Sequence, residues 1–358
     1  MIMVRRCSQY SVSYRHERFP VRSFTLGSFA CVTNMEQTHH SSQSSDPLRS
    51  LGEVEIRLLR ECYRRGLPGT LAPFLFVDNH LRWCEKIRLN STNPTGDWKG
   101  TVSPIVWKRF FTLAVDDREQ LTTSGTFVAI TDAEKCPTVV FWTLQEDLSP
   151  LKRALMETDK INWMNDPAFS CVALEHYPML QSVLQQKAPH LEFRNSTFFR
   201  LPDSTARTLQ LSLPDGYEIL PLNESHAYEV NDTWPHRYAG SEEYYRSLLR
   251  LNGGLALATT TPDTDPQQKQ LAGWILTNEY GALAHLFIQP AHRNRGLASV
   301  LVKAWVLQTI ETWENDDHAK GSEVIAYIMD VNVASRTLFK KLGFIEMSKS
   351  RWSNPTTK

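Results

Sequence analysis

The chain has 358 residues, of which 41% are hydrophobic and 22% charged, a composition typical of globular proteins. Its length exceeds that of one ordinary domain, so we expect two domains. Lysine and arginine together number 39, as do aspartate and glutamate, so net charge draws the chain neither to nucleic acid nor to an anionic membrane. No apolar run approaches the roughly 18 to 20 residues needed to cross a bilayer. We therefore expect small molecules as partners, with no nucleic acid and no membrane.

The first 34 residues are rich in arginine and contain Glu17 as their only acid. This composition resembles that of a mitochondrial transit peptide. Met35 then opens a more ordinary polar stretch, so an upstream start codon or a disordered leader is the alternative. We expect residues 1–50 to be a disordered leader or a transit peptide, and the protein to be mitochondrial or cytoplasmic.

Residues 51–205 have the pattern of an α/β domain. Helical spacing of apolar residues predicts helices at 52–65, 149–158 and 179–186. Runs rich in β-branched and aromatic residues predict strands at 110–115, 125–131, 138–143 and 170–174. Turn-forming residues at 201–206 place the domain boundary near residue 205, and we recognise no catalytic motif before it.

All six cysteines lie in the first half of the chain and form no CxxC pair. This spacing indicates free thiols in a reducing compartment and no structural zinc site, so we expect no metal. The cysteines are Cys7, Cys31, Cys62, Cys84, Cys136 and Cys171.

The second domain, residues 206–358, begins with a predicted strand and two helices. In the first helix His226, Val230 and Trp234 recur at four-residue spacing, and they either border an acceptor pocket or pack in the core. Ser241 is the expected N-cap of the second helix. Further strands are predicted at 255–260, 271–277 and 282–288, which implies two antiparallel hairpins with a hydrophilic turn at 262–269.

A basic loop follows the last of these strands and leads into a long helix, predicted from Leu297 to Trp313. Gly296 lets the backbone approach a ligand without a Cβ in the way, and Ala298 keeps that approach open. The free N–H groups of the first helical turn and the helix dipole form an anion site. Arg293 and Arg295 add positive charge beside it, and the geometry suits a pyrophosphate.

This loop resembles the signature of the GNAT superfamily. Arg293-x-x-Gly296-x-Ala298 matches (Gln/Arg)-x-x-Gly-x-(Gly/Ala), the turn on which members hold the pyrophosphate of coenzyme A. Residues 330–344, after a predicted strand at 323–329, resemble the superfamily's Asn-x-x-(Ala/Ser)-x-x-(Leu/Phe)-(Tyr/Phe)-x-x-x-Gly-Phe segment. The resemblance implies acetyl-CoA or another acyl-CoA as co-substrate, bound by Leu286, Phe287, Ile288, Arg293, Asn294, Arg295, Gly296, Leu297, Ala298, Ser299, Asn332, Ser335 and Phe339.

Within the superfamily the chain is most similar to the glycine N-acyltransferase-like group, particularly its arthropod members. The similarity lies in HAYEVNDTW (226–234), GlyTrp (273–274) and GTFVAITD (125–132), and it extends from residue 51 onward. It implies an α/β fold of tandem GNAT-like domains, each with a mixed, mostly antiparallel sheet flanked by helices, the first of them degenerate. It also implies acyl transfer from acyl-CoA to a small amine, such as glycine or a related amino acid, near a pocket bordered by His226, Val230 and Trp234.

The reaction requires a general base for the amine. The superfamily often places a glutamate where this chain has Ala282, so the remaining candidates are His285, Glu279 and Asp330. His285 has an unperturbed pKa of about 6.5, which suits a base near neutral pH, although strand alternation would put it on the face opposite Ala282. The alternative is a structural histidine.

The position of the expected general acid also departs from the family pattern, because Phe339 stands where many relatives carry tyrosine. A thiolate is a tolerable leaving group without acid help, and backbone N–H groups near residues 286–288 are expected to meet the oxyanion. Ala282 and Phe339 together support an alternative, an acyl-CoA-binding pseudoenzyme. A protein lysine or N-terminal acetyltransferase is a third interpretation. Asn332 either contacts the pantetheine arm or caps the last helix, or both. The oligomeric state is left open.

Overall fold

A computed structural model of the chain describes residues 46–90, 106–131, 133, 137–235, 237–238, 240–260 and 270–353. The predicted leader up to residue 45 and the whole hydrophilic turn at 262–269 lie outside these ranges, so both stay predictions. Within these ranges no helix is both long enough and apolar enough to cross a membrane.

The helices and strands alternate along the chain in the way an α/β fold requires. The helices are α1 (Glu53–Arg64), α2 (Leu71–Asn90), α3 (Arg118–Ser124), α4 (Ser149–Glu157), α5 (Tyr177–Lys187), α6 (Asp203–Ala206), α7 (Ala227–Asp232), α8 (Ser241–Leu251), α9 (Leu297–Glu314) and α10 (Val333–Lys341). The strands are β1 (Leu48–Ser50), β2 (Lys108–Leu113), β3 (Phe127–Thr131), β4 (Thr138–Trp142), β5 (Ala168–Phe169), β6 (Val172–Ala173), β7 (Phe193–Leu201), β8 (Tyr217–Leu222), β9 (Gly254–Thr259), β10 (Leu271–Thr277), β11 (Leu283–Ile288), β12 (Val324–Met329) and β13 (Ile345–Ser353).

The first sheet has five strands in the order β1-β2-β3-β4-β5. Its pairs are antiparallel except for β4 with β5. Alternate residues of β3 face opposite sides, as strand geometry requires. Val128 packs in one core with Leu155 of α4 and Leu180 of α5, whereas Phe127 packs in another with residues of α1 and α2.

The second sheet has eight strands in the order β6-β13-β7-β12-β11-β10-β9-β8. It is antiparallel except for β11 with β12. Both sheets are therefore mixed, mostly antiparallel and flanked by helices, and the predicted fold class is confirmed. β6 and β7 precede residue 205 in the chain and yet belong to this second sheet. The domain boundary near residue 205 stays a prediction.

Different helices cover the two faces of the second sheet. Apolar residues of α9, such as Leu301, pack against one face together with Ile275 of β10. The neighbouring residue Trp274 points to the opposite face, where it packs with Tyr245 of α8 and Trp83 of α2. The second sheet thus lies between α9 on one side and α2 with α8 on the other.

The sequence pattern predicts many of these elements and misses β1, α2, α3, α6, β7 and β13. Nearly every side chain in the first two thirds of α2 is buried, so the helix has no polar stripe to reveal its period. The predicted N-cap of α8 is wrong by one residue, because Gly240 takes that position with φ of 93°. The hydroxyl of Ser241 instead donates to Asn231 Oδ1 at 2.6 Å.

Candidate functional site

A gap opens in the second sheet between β11 and β12. These parallel strands pair at one described position, Leu283 with Ala326. Residues 284–289 beyond it are half-exposed, whereas Ala282 and Leu283 are buried. The carboxyl-terminal part of β11 therefore has a side that is free to meet a ligand.

A β-bulge lies in β11 where the gap begins. The register between β10 and β11 shifts at this point, and His285 has a positive φ of 54°. The N–H of Gln289 donates to Ala272 of β10. Because N–H groups alternate in direction along a regular strand, that of Ile288 points away from β10 and toward the side of the gap. The predicted oxyanion role of the N–H groups near residues 286–288 stays a prediction.

The turn after β11 ends at a glycine that begins α9. Gly296 is the N-cap of the helix, with φ of 77°, and a Cβ placed on it would meet no atom within 4 Å. Asn294 also has a positive φ, of 62°. Within the described ranges no backbone or side-chain acceptor receives the N–H groups of residues 294–298. Such a run of free N–H groups at a helix start is an anion site, which fits the pyrophosphate of coenzyme A.

Two arginines flank this turn on opposite sides. Arg293 donates from Nε to the carbonyl oxygen of Ile288 at 3.0 Å, and its guanidinium lies 5.6 Å from the ring centre of Phe287. Arg295 donates from Nη1 to the hydroxyl of Tyr217 at 3.0 Å. Both side chains are exposed. The turn therefore has two cations held beside it that remain accessible to an anionic ligand.

The start of α10 lies at the same edge of the sheet, because α9 and α10 follow the carboxyl ends of the neighbouring parallel strands β11 and β12. Asn332 caps α10, and its Oδ1 accepts from the N–H of Ser335 at 3.1 Å. Phe339 is buried against the ring of Phe344 at 4.7 Å. The capping role of Asn332 and the core role of Phe339 are thus observed, and their contacts with coenzyme A stay predictions.

His285 lies in an aromatic cage formed by Trp234, Tyr244 and Tyr245, and its Nδ1 is 2.8 Å from the hydroxyl of Tyr245. Burial lowers the pKa of His285 to about 4, so its imidazole is neutral at physiological pH and only weakly basic. Tyr245 covers the sheet face away from α9, and Ala282 packs on that same face. The prediction that His285 and Ala282 lie on opposite faces is wrong, because the bulge interrupts the strand alternation.

Among the described residues, the two candidate carboxylates are hydrogen-bonded neither to His285 nor to each other. Glu279 is buried in the β10–β11 turn, where Oε2 accepts from Tyr244 at 2.5 Å and Oε1 lies 4.0 Å from Lys108 Nζ. Asp330 accepts from Thr197 at 2.7 Å and from Lys349 at 2.9 Å. Burial alone would raise the pKa of Asp330, but these hydrogen bonds outweigh it and hold that pKa below its ordinary value. Both carboxylates are already bonded, and their catalytic roles stay predictions.

His226, Val230 and Trp234 do not share one helix face, so that prediction is wrong. α7 covers only Ala227–Asp232, and His226 ends a 3-10 turn in which its Nδ1 accepts from the N–H of Asn223 at 3.1 Å. Val230 is buried in the core. Trp234 lies beyond the helix, 5.9 Å from the ring of His285. Of the three predicted acceptor residues, only Trp234 contacts another predicted site residue.

Sequence reasoning missed the residues that reach the site from other elements. Tyr245 and Tyr244 of α8 bond His285 and Glu279, and Lys108 comes from the first sheet. Tyr327, one position past the last β11–β12 pair, lines a narrow cavity together with rings of both sheets. No local pattern marks these residues, because their role depends on contacts across 35 or more positions.

The comparisons with known proteins agree with this geometry. Residues 264–353 match the family described as FR47-like protein, and residues 47–183 match a domain of unknown function, DUF5645. No match was found among curated protein sequences. A Drosophila protein solved by X-ray crystallography is similar in fold, with 21% identity, a TM-score of 0.73, and coverage of 87% of this chain and 99% of its own.

Two other solved structures show weaker likeness. A tandem GNAT protein from the clavulanic acid biosynthesis pathway has 10% identity and a TM-score of 0.48, covering 86% of this chain and 97% of its own. A GCN5-related N-acetyltransferase-like protein from Streptococcus suis has 13% identity and a TM-score of 0.39, covering 75% and 98%. Residues 264–353, which contain the open strand pair, the bulge and the glycine helix start, are thus similar to the FR47-like family.

Proposed function

We propose that the protein is an N-acyltransferase that moves an acyl group from acyl-CoA to the amine of a small acceptor, with glycine or a related amino acid as the first acceptor to test. The observation that carries this proposal is the row of free N–H groups at residues 294–298, which suits a diphosphate. Bound acyl-CoA supplies an activated carbonyl group.

The residues of the chain then have distinct tasks. The helix start and the two arginines bind the diphosphate, which directs the pantetheine arm along β11 into the gap. There the N–H groups near residues 286–288 are the proposed donors to a thioester oxygen. Fixed donors at such a position stabilise a developing oxyanion and contribute roughly 100-fold or more to the rate.

An acyl-CoA-binding pseudoenzyme is the second candidate. Ala282 is fully buried and carries no polar group, and Phe339 has no proton to give to a departing thiolate. Either protein would bind coenzyme A, so binding alone does not separate the two. Acetylation of protein lysines or N-termini is a third candidate, testable with peptide acceptors.

The deciding experiment measures free thiol released from acetyl-CoA and benzoyl-CoA in the presence of glycine, other amino acids, simple amines and a lysine peptide. The proposal expects release that depends on a free small amine. Tight coenzyme binding without acceptor-dependent release would identify the pseudoenzyme. Release with the peptide alone would favour protein acetylation.

Arg293→Ala tests where the coenzyme binds. Removing a cation that makes charge-assisted hydrogen bonds should weaken coenzyme A binding by about 1.5 to 3 kcal/mol, roughly 10- to 100-fold, as measured by titration calorimetry. Arg250→Ala is the matched control, because Arg250 belongs to α8, where it is paired with Glu224 of the preceding 3-10 turn. Equal affinity in both variants would contradict the proposed binding site.

A further inference from the structure

The hydrogen bond between Tyr245 and His285 fixes the position of a proton. Tyr245 is fully buried, with 0% of its surface exposed. Among the residues that the structure describes, His285 Nδ1 is the partner of its hydroxyl, at 2.8 Å. A buried hydroxyl without an acceptor costs about 1 to 3 kcal/mol, so the phenol O–H donates to Nδ1.

This bond determines the tautomer of the neutral imidazole. Because Nδ1 accepts a hydrogen bond, the single N–H of neutral His285 is on Nε2. The opposite tautomer would place an N–H on Nδ1 and leave the tyrosine proton without an acceptor. Tyr245 therefore selects the Nε2–H form.

The Nε2 atom is available to a ligand. In the described part of the chain Nε2 has no hydrogen-bond partner. The atom is also not buried. The residue is half-exposed and lies in the bulge at which β11 separates from β12. The bulge of β11 thus carries a side-chain N–H donor that is accessible from outside the protein.

We propose that His285 acts as a neutral hydrogen-bond donor to the thioester oxygen, through Nε2–H, and that Tyr245 is the positioning residue that fixes this tautomer. The inference rests on the acyl transfer proposed above and replaces the role of general base with that of an electrophilic donor. An imidazole whose Nε2 already carries a proton has no lone pair there to take one from the amine.

The amine nitrogen attacks the thioester carbon, a C–N bond forms, and the π electron pair of the carbonyl group moves to the oxygen that Nε2–H stabilises. When that pair re-forms the carbonyl, the C–S bond breaks and the sulfur keeps its electrons. The proton lost by the nitrogen passes through water to the sulfur, so the products are an amide and free coenzyme A. His285 ends with the proton it began with.

The low basicity of His285 agrees with this role. Burial in the cage lowers its pKa to about 4, and the groups that face it there, Tyr244 and Tyr245 of α8 and Trp234, carry no charge at neutral pH. A neutral imidazole keeps one N–H, so it can donate a hydrogen bond to a carbonyl group near pH 7.

The first test reads the tautomer without mutating the site. Nitrogen-15 NMR spectra of protein labelled in its histidines distinguish a protonated ring nitrogen from an unprotonated one. The signals of His285 are identified as those that disappear in the His285→Gln variant. The proposal expects protonated Nε2 and bare Nδ1 at pH 7. Acetyl-CoA should shift the Nε2 signal, whereas coenzyme A, which lacks the thioester carbonyl group, should not. Protonated Nδ1, or equal spectra with both ligands, would overturn the proposal.

The second test compares donors at this position. His285→Gln keeps a side-chain N–H, whereas His285→Leu has none, so kcat should fall about 100-fold in the leucine variant and by clearly less in the glutamine variant. Tyr245→Phe should lower kcat with little change in KM and should mix the two tautomers in the spectra. The kcat/KM profile should show no histidine titration above pH 5. An equal loss of kcat in the glutamine and leucine variants, together with a histidine titration above pH 5, would instead show that His285 acts as the general base.

The two proposals fail in different ways. Absence of acceptor-dependent thiol release from the wild-type protein would count against the enzyme. The tautomer and its response to acetyl-CoA are read by spectroscopy and remain measurable in that event.

Discussion

Gly296 has two properties that an alanine at this position would disturb together. Its φ of 77° lies in the region that favours glycine, and its missing Cβ leaves the anion site open. An alanine here would strain the backbone by about 1 to 2 kcal/mol and would also place a methyl group where the diphosphate is proposed to lie.

We therefore expect Gly296→Ala to lose coenzyme A affinity beyond its effect on stability. Gly321→Ala is the matched control, since Gly321 has φ of 83°, and a Cβ there would also meet no atom within 4 Å. Urea unfolding should report a similar destabilisation of both variants. Calorimetry should report a large loss of affinity for Gly296→Ala alone, and equal affinities would argue against the diphosphate site.

Sequence reasoning succeeds at this residue because the signal is local. Arg293, Gly296 and Ala298 lie within six positions, and a helix start has the same geometry in any fold. His285 was singled out on its side-chain chemistry, but its tautomer depends on Tyr245, 40 positions earlier. The pairing of Glu279 with Lys108 is more distant still, and neither contact leaves a periodic trace in the sequence.

The β10–β11 turn illustrates the same limit for a whole element. Asn278 Oδ1 closes this four-residue turn by accepting from the N–H groups of Tyr280 and Ala282. The structure adds that α2 packs directly on this turn, where Asn79 donates to the carbonyl oxygen of Glu279 at 3.2 Å. This contact was beyond prediction, because the sequence pattern did not reveal α2.

Gly281 in this turn should therefore be sensitive to substitution. It has φ of 69°, and a Cβ would lie 2.8 Å from the carbonyl oxygen of Leu75 in α2. Gly253, with φ of 71° and no neighbour within 4 Å of such a Cβ, is the matched control. We expect Gly253→Ala to lower the free energy of unfolding by about 1 to 2 kcal/mol and Gly281→Ala to lower it by clearly more. Equal losses would mean that α2 does not press on the turn.

On the scale of the whole molecule, β7 and β13 join parts of the chain that are far apart in sequence. β7 lies between β12 and β13, so a strand from before residue 205 completes the sheet that carries the gap. β13 pairs with β7 along its length and with β6 at Ser350 and Arg351. The sequence pattern predicted neither β7 nor β13, and the choice of partner strands depends on the whole fold.

The end of β13 also reaches the first sheet. Ser353 Oγ accepts from the buried N–H of Phe169 in β5 at 2.7 Å, across 184 positions. We expect Ser353→Ala to lower the free energy of unfolding by about 1 to 3 kcal/mol, because that N–H would lose its partner away from water. Ser348 lies on the same strand and is exposed, so Ser348→Ala should change stability by less than about 0.5 kcal/mol. Urea denaturation followed by circular dichroism measures both, and similar values would show that this bond does not couple the two sheets.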